Sequence, residues 1–517
     1  MIRGFTSVRR AGSDDDVDVE VEKGGERSPR AIQRFLDGPP DVEPRSPAAP
    51  RGPTRYVYFC AFLAALNSAN LGYDIGVVSG AAVYVQEDLG LSDVRVEALV
   101  GILNACAIVG AAVAHFFIDR LGRRRTFTLS SGVFVIGALG SAVAPSYAAL
   151  MLFRVVVGLG VGVGLSVDPV YIAEIAPAAY RGALVSWAEI SINVGILAGF
   201  VAAFAFRDYG PSAWRPMLGM GAILPCLLFA LTLTAMPETP RWLVARGRRD
   251  EAAAVLARLG FPPETLDEIA AAVAREATAP RGALWKSPGG RRALIVGVGV
   301  AFAQQALAEE ALLFYQPRML LDLGMDRTAV FSCLVAMGAL KTGCILVAAR
   351  FLDGWGRRPL LLGSVAGLGV SLALLSAAFS AGRPYVAVGA IWLYMAAFSL
   401  GIGPITWLLA AEVFPLAVRA RAVALATVAN RLTASVIAST FLSWARAAGY
   451  AGYFSTFAAL ALVVLCAVYR YVPETKGRSL EAMAAYFEEI AGEAPGAPPE
   501  TAANPVRGAG PAPGDPP

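Results

Sequence analysis

The chain has 517 residues, of which 56% are hydrophobic and only 16% charged, with a mean hydropathy of +0.56 and a formal net charge of +4. A soluble domain carries about 25% charged residues, so this chain has too few ionisable groups to cover a water-facing surface and reads as a membrane protein. The same numbers exclude a disordered chain, a disulfide scaffold and a nucleic-acid-binding domain. The six cysteines, Cys60, Cys106, Cys226, Cys333, Cys344 and Cys466, lie in or beside apolar runs and read as small membrane hydrophobes.

In chain order, residues 1–55 form a polar segment with an acidic cluster from Asp14 to Glu22 and a Pro-rich stretch from Pro39 to Pro53. This composition predicts a disordered cytosolic tail. Apolar stretches then predict spans near 56–80, 98–118, 127–145, 148–172, 183–205 and 215–236, and, after a break, near 293–316, 328–352, 359–380, 385–410, 422–445 and 450–472. Each is long enough for a helix crossing a bilayer. Basic residues cluster after even-numbered spans, at Arg123 to Arg125, Arg181, Arg357, Arg358 and Arg419. Those loops are expected to be cytoplasmic, with both termini inside. Residues 237–291 separate the two sets of spans, with helix-like stretches at 250–259 and 265–277 that predict short cytosolic helices. Residues 473–517 read as a second cytosolic tail, whose composition turns to Ala, Gly and Pro after about residue 488. The expected organisation is therefore two six-helix sets, 56–236 and 292–472, around the linker at 237–291.

Three motifs occur twice, in the same order and at nearly the same separation. Asp119-Arg-Leu-Gly-Arg-Arg124 recurs as Asp353-Gly-Trp-Gly-Arg-Arg358, Glu174-x-x-Pro-x-x-x-Arg181 as Glu412-x-x-Pro-x-x-x-Arg419, and Pro237-Glu-Thr-Pro-Arg241 as Pro473-Glu-Thr-Lys-Gly-Arg478. The repeat implies two halves of like orientation, the architecture of an alternating-access carrier. Asp119, Arg123, Arg124, Glu174, Arg181, Glu238, Arg241, Asp353, Arg357, Arg358, Glu412, Arg419 and Glu474 are expected to form a cytoplasmic gate that pairs across the halves when that side closes. The alternative is that these charges only set topology.

A charge inside an apolar span needs a partner or an aqueous cavity, because it costs about 2.5–3.5 kcal/mol at a helix centre. Asp74 in the first span and Arg154 in the fourth are each other's expected partners. They form either a fixed structural pair or a proton switch, since burial disfavours a charged carboxylate and a neighbouring Arg favours it. Glu189, Gln304, Gln305, Glu309, Glu310, Lys341, Asn430 and Arg431 add donors and acceptors suited to a ligand dense in hydroxyl groups, with Trp407 and Tyr315 as flat apolar faces. Lys341 and Arg431 alternatively neutralise Glu189 or Glu310. Asp168, beside Pro169, reads as near a membrane face. The run Gly158-Leu-Gly-Val-Gly-Val-Gly164 lies inside a span and points to close helix packing rather than nucleotide binding. His115 is the only histidine, so no His-based metal centre or catalytic triad is expected; it reads as a packing residue, with a proton relay as the alternative. No nucleophile and base set favours an enzyme, and no cofactor is implied.

With these residues assembled, the chain resembles the sugar-porter family of the major facilitator superfamily over about residues 56–485, and within it the plant polyol and monosaccharide transporters. The resemblance rests on Gly72-Tyr-Asp-Ile-Gly-Val-Val-Ser-Gly80, Pro169-Val-Tyr-Ile-Ala-Glu-Ile-Ala-Pro177, Glu189-Ile-Ser-Ile-Asn-Val-Gly-Ile-Leu197, Pro237-Glu-Thr-Pro-Arg-Trp-Leu-Val244 and Gly403-Pro-Ile-Thr-Trp407. It implies an all-α major facilitator fold of twelve transmembrane helices in two six-helix halves. By the same resemblance Asp74 and Arg154 match the proton-coupling pair of symporters. Glu189, Gln304, Gln305, Glu310, Trp407 and Asn430 match substrate-contacting positions. One departure stands out: family members read Gln-Gln-x-x-Gly-Ile-Asn or Gly-Ile-Asp in the seventh span, whereas this chain reads Gln304-Gln305-Ala-Leu-Ala308-Glu309-Glu310. The expected function is proton-coupled symport of linear polyols, with monosaccharides as a further substrate class, by a monomer in the plasma membrane rather than the vacuole. A facilitative uniporter and a non-transporting sugar sensor are the alternatives.

Overall fold

The structure is a computed structural model that describes residues 52–177, 180–278, 288–414 and 419–476, with 483, 486, 487 and 489; the side chains at 275–278, Leu352, Asp353, Arg419 and Ala420 are outside the description. The acidic amino-terminal segment, nearly all of the carboxy-terminal tail and the expected gate contributions of Asp353 and Arg419 therefore lie outside the described residues. All regular structure among the described residues is helical. The helices are α1 Arg55–Leu89, α2 Asp93–Leu121, α3 Arg123–Val143, α4 Tyr147–Ile175, α5 Arg181–Ala205, α6 Trp214–Met220, α7 Ile223–Thr234, α8 Pro240–Ala245, α9 Arg249–Leu259, α10 Thr265–Thr278, α11 Pro288–Ala306, α12 Glu309–Asp322, α13 Arg327–Trp355, α14 Arg357–Ser380, α15 Pro384–Leu400, α16 Ile402–Val413 and α17 Arg419–Tyr471.

Ten helical stretches among the described residues are long and apolar enough to cross a membrane. The last, Arg421–Tyr471, turns at Gly449 (φ 71°, ψ 161°) and is long enough for two crossings, where the sequence predicts the eleventh and twelfth spans. The first span, α1, is absent from the ten because Asn67, Ser68, Asn70 and Asp74 dilute its hydropathy. All four are buried, so α1 faces protein more than lipid. Two further spans are broken. The seventh bends where Ala308, the only non-glycine with positive φ among the described residues (φ 73°), separates α11 from α12. The tenth bends at Gly401, between α15 and α16.

Close helix approach follows from small residues. A methyl group placed on Gly72 would fall 1.9 Å from the Ile192 carbonyl oxygen, and one on Gly199 2.5 Å from the Tyr73 carbonyl oxygen, so α1 and α5 touch backbone to backbone. The glycine run in α4 does the same against α2, where a methyl on Gly162 would meet the Ala107 carbonyl oxygen at 2.1 Å. Packing, not nucleotide binding, accounts for that run.

The repeated motifs fold into the same device twice. Gly122 and Gly356 adopt φ near +90° (91° and 89°), and each turns the chain from one helix into the next. Glu238 then accepts from the backbone N–H of Arg123 at 2.8 Å, and Glu474 from those of Arg357 and Arg358 at 3.0 Å. Each carboxylate thus caps the start of a helix whose first N–H groups have no internal partner. Glu174 receives Arg123 at 2.7 Å and the Thr239 hydroxyl at 2.5 Å; Glu412 receives Arg357 at 2.8 Å and the Thr475 hydroxyl at 2.5 Å. Burial pushes the Glu238 carboxyl above the ordinary carboxylate range, against the backbone N–H donors that favour its charge. These devices, with α8 and α9, mark the terminal face of the bundle.

Candidate functional site

Asp74 on α1 and Arg154 on α4 meet as expected. The guanidinium donates twice to one carboxylate, at 2.5 and 3.0 Å, and the two residues are 6% and 1% exposed. Such a fork matches a planar guanidinium to a planar carboxylate and neutralises both charges inside the bundle. The Arg154 Nε atom is left without a partner.

A second polar group forms around the broken seventh span. Gln304 donates to the Gly403 carbonyl oxygen at 2.9 Å, and its own oxygen accepts from Asn430 at 2.8 Å, which joins α11, α16 and α17. Arg431 donates to the Asn430 oxygen at 2.6 Å and approaches Glu310 at 3.9 Å. Lys341 on α13 pairs with Glu309 at 2.8 Å, and Gln305 donates to the same carboxylate at 3.3 Å. Trp407 and Glu189 are half-buried, whereas Thr406 and Asn430 are buried. Buried polar atoms without partners gather here: Gln305 Oε1 and Glu310 Oε2, together with Asn193 Oδ1 on α5. A polar atom buried without a hydrogen bond costs about 1–3 kcal/mol, a cost that a hydroxyl-bearing ligand removes.

Several expectations need correction. Of the two roles open to Lys341, neutralising Glu189 or Glu310 is not the one its direct pair shows: it binds Glu309, because the left-handed turn at Ala308 restarts the helix and aims its first residue at α13, while Arg431 approaches Glu310. Asp168 is not interfacial: it is 1% exposed and accepts from Asn67 at 2.8 Å and Ser68 at 2.5 Å, since α4 continues to Ile175, about two turns beyond it. Tyr315 is not an open face for a ligand. Its ring stacks on Phe441 with centroids 4.9 Å apart, and its hydroxyl donates to the Ala438 carbonyl oxygen at 2.6 Å. His115 lies exposed on α2 rather than packed between helices.

Among the described residues, Arg123 pairs with Glu174 in the first set of six spans and Arg357 with Glu412 in the second. Arg124 and Arg358 cap carbonyl oxygens of their own set, Thr232 at 2.7 Å and Tyr469 at 2.6 Å. Asp119 and Arg181 are exposed and Arg241 is half-buried. Contacts that join the two sets lie along α1 with α12, α2 with α17 and α5 with α13. Their polar members concentrate at the face opposite the termini. Glu97 accepts from the Ser443 N–H at 2.7 Å, Arg327 pairs with Glu87 at 2.7 Å, Arg318 donates to Gln86 at 3.0 Å, and Arg446 pairs with Asp93. Deeper in, Arg431 reaches Asn104 at 3.4 Å. Sequence reasoning missed this layer, although Glu87, Asp93 and Glu97 sit in one acidic run beside the second span. By contrast, α4 packs against α1, α2, α3, α5 and α8, and α16 against α11, α14, α15 and α17, each within its own set or its adjoining short helices.

The model of the family described as "Sugar (and other) transporter" matches residues 60–487. The chain belongs to this family of the major facilitator superfamily. It is therefore similar to carriers rather than to enzymes. Among curated relatives it is 37% identical to polyol transporter 5 of Arabidopsis thaliana over 88% of this chain and 91% of that one. It is 34% identical to the putative metabolite transport protein YwtG of Bacillus subtilis, over 81% of this chain and 93% of that one. Among solved structures it resembles the proton:xylose symporter XylE bound to 6-bromo-6-deoxy-D-glucose, with a TM-score of 0.69 and 26% identity over 84% of this chain and 99% of that one. An inward-open conformation of the xylose transporter XylE from E. coli gives 0.72 and 25% identity, over 83% of this chain and 99% of that one.

Proposed function

We propose that this family member is a proton-coupled symporter of linear polyols, and of monosaccharides as a second substrate class, working by alternating access between two six-helix halves at 56–236 and 292–472. The observation that carries the reading is the buried, doubly bonded pair of Asp74 and Arg154. The fork holds α1 and α4 together and sets the guanidinium against the carboxylate. Separating it from Arg154 leaves it in a low-dielectric interior, where taking a proton relieves the cost. Proton binding and helix movement are thereby one event. The substrate occupies the polar group of Gln304, Gln305, Glu310, Asn430 and Glu189, with Trp407 against its C–H surface. Plant relatives named polyol transporters support the substrate class, and the XylE structures support the coupling.

With the terminal face taken as cytoplasmic, on the strength of its basic loops, the chain is in an inward-facing state. Its halves are joined at the outer face, while the repeated charge devices stand closed within each half. The same reading places both termini in the cytosol, makes the plasma membrane the expected location and treats the chain as a monomer in the bilayer. The test is uptake of sorbitol, mannitol, xylitol, myo-inositol, glucose and fructose into proteoliposomes at acidic and neutral pH. Polyol uptake should rise with an inward proton gradient and lose that dependence in Asp74→Asn. Gradient-independent uptake would assign a uniporter. The Glu309–Lys341 pair at the break of the seventh span, where relatives carry a flexible Gly-Ile segment, favours a second reading as a non-transporting sensor. Substrate binding with no flux by the purified protein would establish it.

A further inference from the structure

One cavity lies away from the proposed transport path. It has a volume of about 780 Å³ on the terminal face, between α3, α7 and the short helices α8 and α9. Its lining has two chemically distinct ends. One end carries Arg124, Arg125, Arg248 and Arg258 with only two carboxylates, Glu238 and Glu251. Those carboxylates are already engaged: Glu238 holds backbone N–H groups of α3, and Glu251 holds Arg248 through two hydrogen bonds of 2.6 and 2.5 Å. Arg124 is turned to the carbonyl oxygens of Thr232 and Leu233. Arg125 and Arg258 are exposed, and Arg258 stands 4.6 Å over the Tyr56 ring. Two positive charges of the lining therefore exceed its carboxylates.

The other end is apolar. Leu129 and Ile136 on α3 and Phe229 and Leu233 on α7 line it, all four exposed where a soluble protein would bury them. From Arg125 to Ile136, α3 rises about 16 Å, close to half of the roughly 30 Å hydrocarbon core. The groove thus runs from a basic end at the membrane surface to an apolar end in mid-bilayer, within one leaflet. A soluble phosphate would leave the apolar half unused, and a neutral lipid the basic half. We propose that this groove binds an anionic phospholipid of the leaflet on the terminal face, with its headgroup against Arg125 and Arg258 and one acyl chain along Leu129, Ile136, Phe229 and Leu233. Basic recesses beside transmembrane helices suit such headgroups on general electrostatic grounds. Occupancy braces α3 against α7 beside Arg124 and Glu238, and so stiffens the charge device of the first six spans.

Trp242 lines the same cavity and serves as the reporter. The full chain is placed in vesicles containing phosphatidylglycerol or phosphatidylcholine brominated on the acyl chains, and the Trp242 signal is isolated by subtracting Trp242→Phe. Phosphatidylglycerol should quench it at a mole fraction roughly 10- to 30-fold lower than phosphatidylcholine, the preference expected of two uncompensated surface arginines. Arg125→Gln/Arg258→Gln should bring the two lipids level, whereas Arg383→Gln, exposed beyond α14, should not. Leu129→Gln, which keeps every charge and alters an exposed side chain, should weaken quenching by both lipids and so tests the groove if the double variant fails to fold. Equal quenching by the two lipids in the parent chain, or an unchanged ratio in the double variant, would overturn the proposal. So would displacement of the lipid by millimolar glycerol 3-phosphate, which would assign the basic end to a soluble anion.

Discussion

Asp74→Asn and Arg154→Gln remove the same ion pair, yet they should not have the same consequence. The pair is bidentate at 2.5 and 3.0 Å, with Arg154 1% and Asp74 6% exposed. Removing one partner of such a pair costs about 3–5 kcal/mol, because the survivor keeps its desolvation without its counter-charge. Removing both strands no charge, so the double variant should lose less than the sum of the singles, with a coupling energy of about 3 kcal/mol. The singles then separate by pH. In Arg154→Gln the stranded carboxylate can take up a proton, so its stability deficit shrinks as pH falls. In Asp74→Asn the stranded guanidinium cannot lose its proton in any accessible range, so that deficit is independent of pH. Unfolding by SDS, followed through tryptophan fluorescence at pH 5 and 7.5, measures all four proteins. Additive single effects, within about 0.5 kcal/mol, or a pH-independent Arg154→Gln would refute the account of a buried pair whose acid partner exchanges protons with the conformational state.

Gly72→Ala should lower thermal stability by about 1–3 kcal/mol through overpacking of α1 on α5, whereas Gly343→Ala, which meets nothing within 4 Å, should be neutral or better in the same melt. Gln304→Ala releases Gly403 and Asn430 and should raise the substrate KM about tenfold, the worth of one or two hydrogen bonds, with folding intact by circular dichroism. Lys341→Met strands Glu309 and should abolish transport or expression, while Lys341→Met/Glu309→Gln recovers expression; equal loss in both would show that the pair is not the cause. Glu174→Ala frees Arg123 and Thr239 and should change the labelling of a cysteine introduced at Asn104 by an impermeant thiol reagent added outside. Unchanged labelling would remove the charge devices from the conformational equilibrium.

Much of this was legible locally. Span positions, the short helices after the sixth span and the doubled motifs all follow from composition and periodicity, which depend on neighbours a few residues away. Gly122 and Gly356 illustrate why the repeat is so plain. One backbone turn, one capping carboxylate and one paired arginine each demand a particular residue type, and the demand is made twice. Asp74 and Arg154 were legible as partners because each is the rare charge of its span. The charges around the seventh span were not. Two adjacent carboxylates differ by about 100° around a helix, and the turn at Ala308 resets that angle, so Glu309 rather than Glu310 meets Lys341.

The sequence by itself determined that the chain lives in a bilayer, crosses it in two similar sets of helices, and keeps a handful of charges where lipid would reject them. Those are statements about free energies of transfer and local backbone preference, and each residue carries its own share. Only the tertiary structure decided which of those charges neutralise one another, that Asp168 rests on Asn67 and Ser68 deep in the bundle, and that Arg123 and Arg357 each meet a glutamate of their own set of spans. It also brought Arg125 and Arg258, 133 positions apart in the chain, to one groove with an apolar floor. Pairing and concavity depend on the rotation and approach of whole helices, set jointly by contacts such as Gly72 against Ile192 that no single stretch of sequence contains.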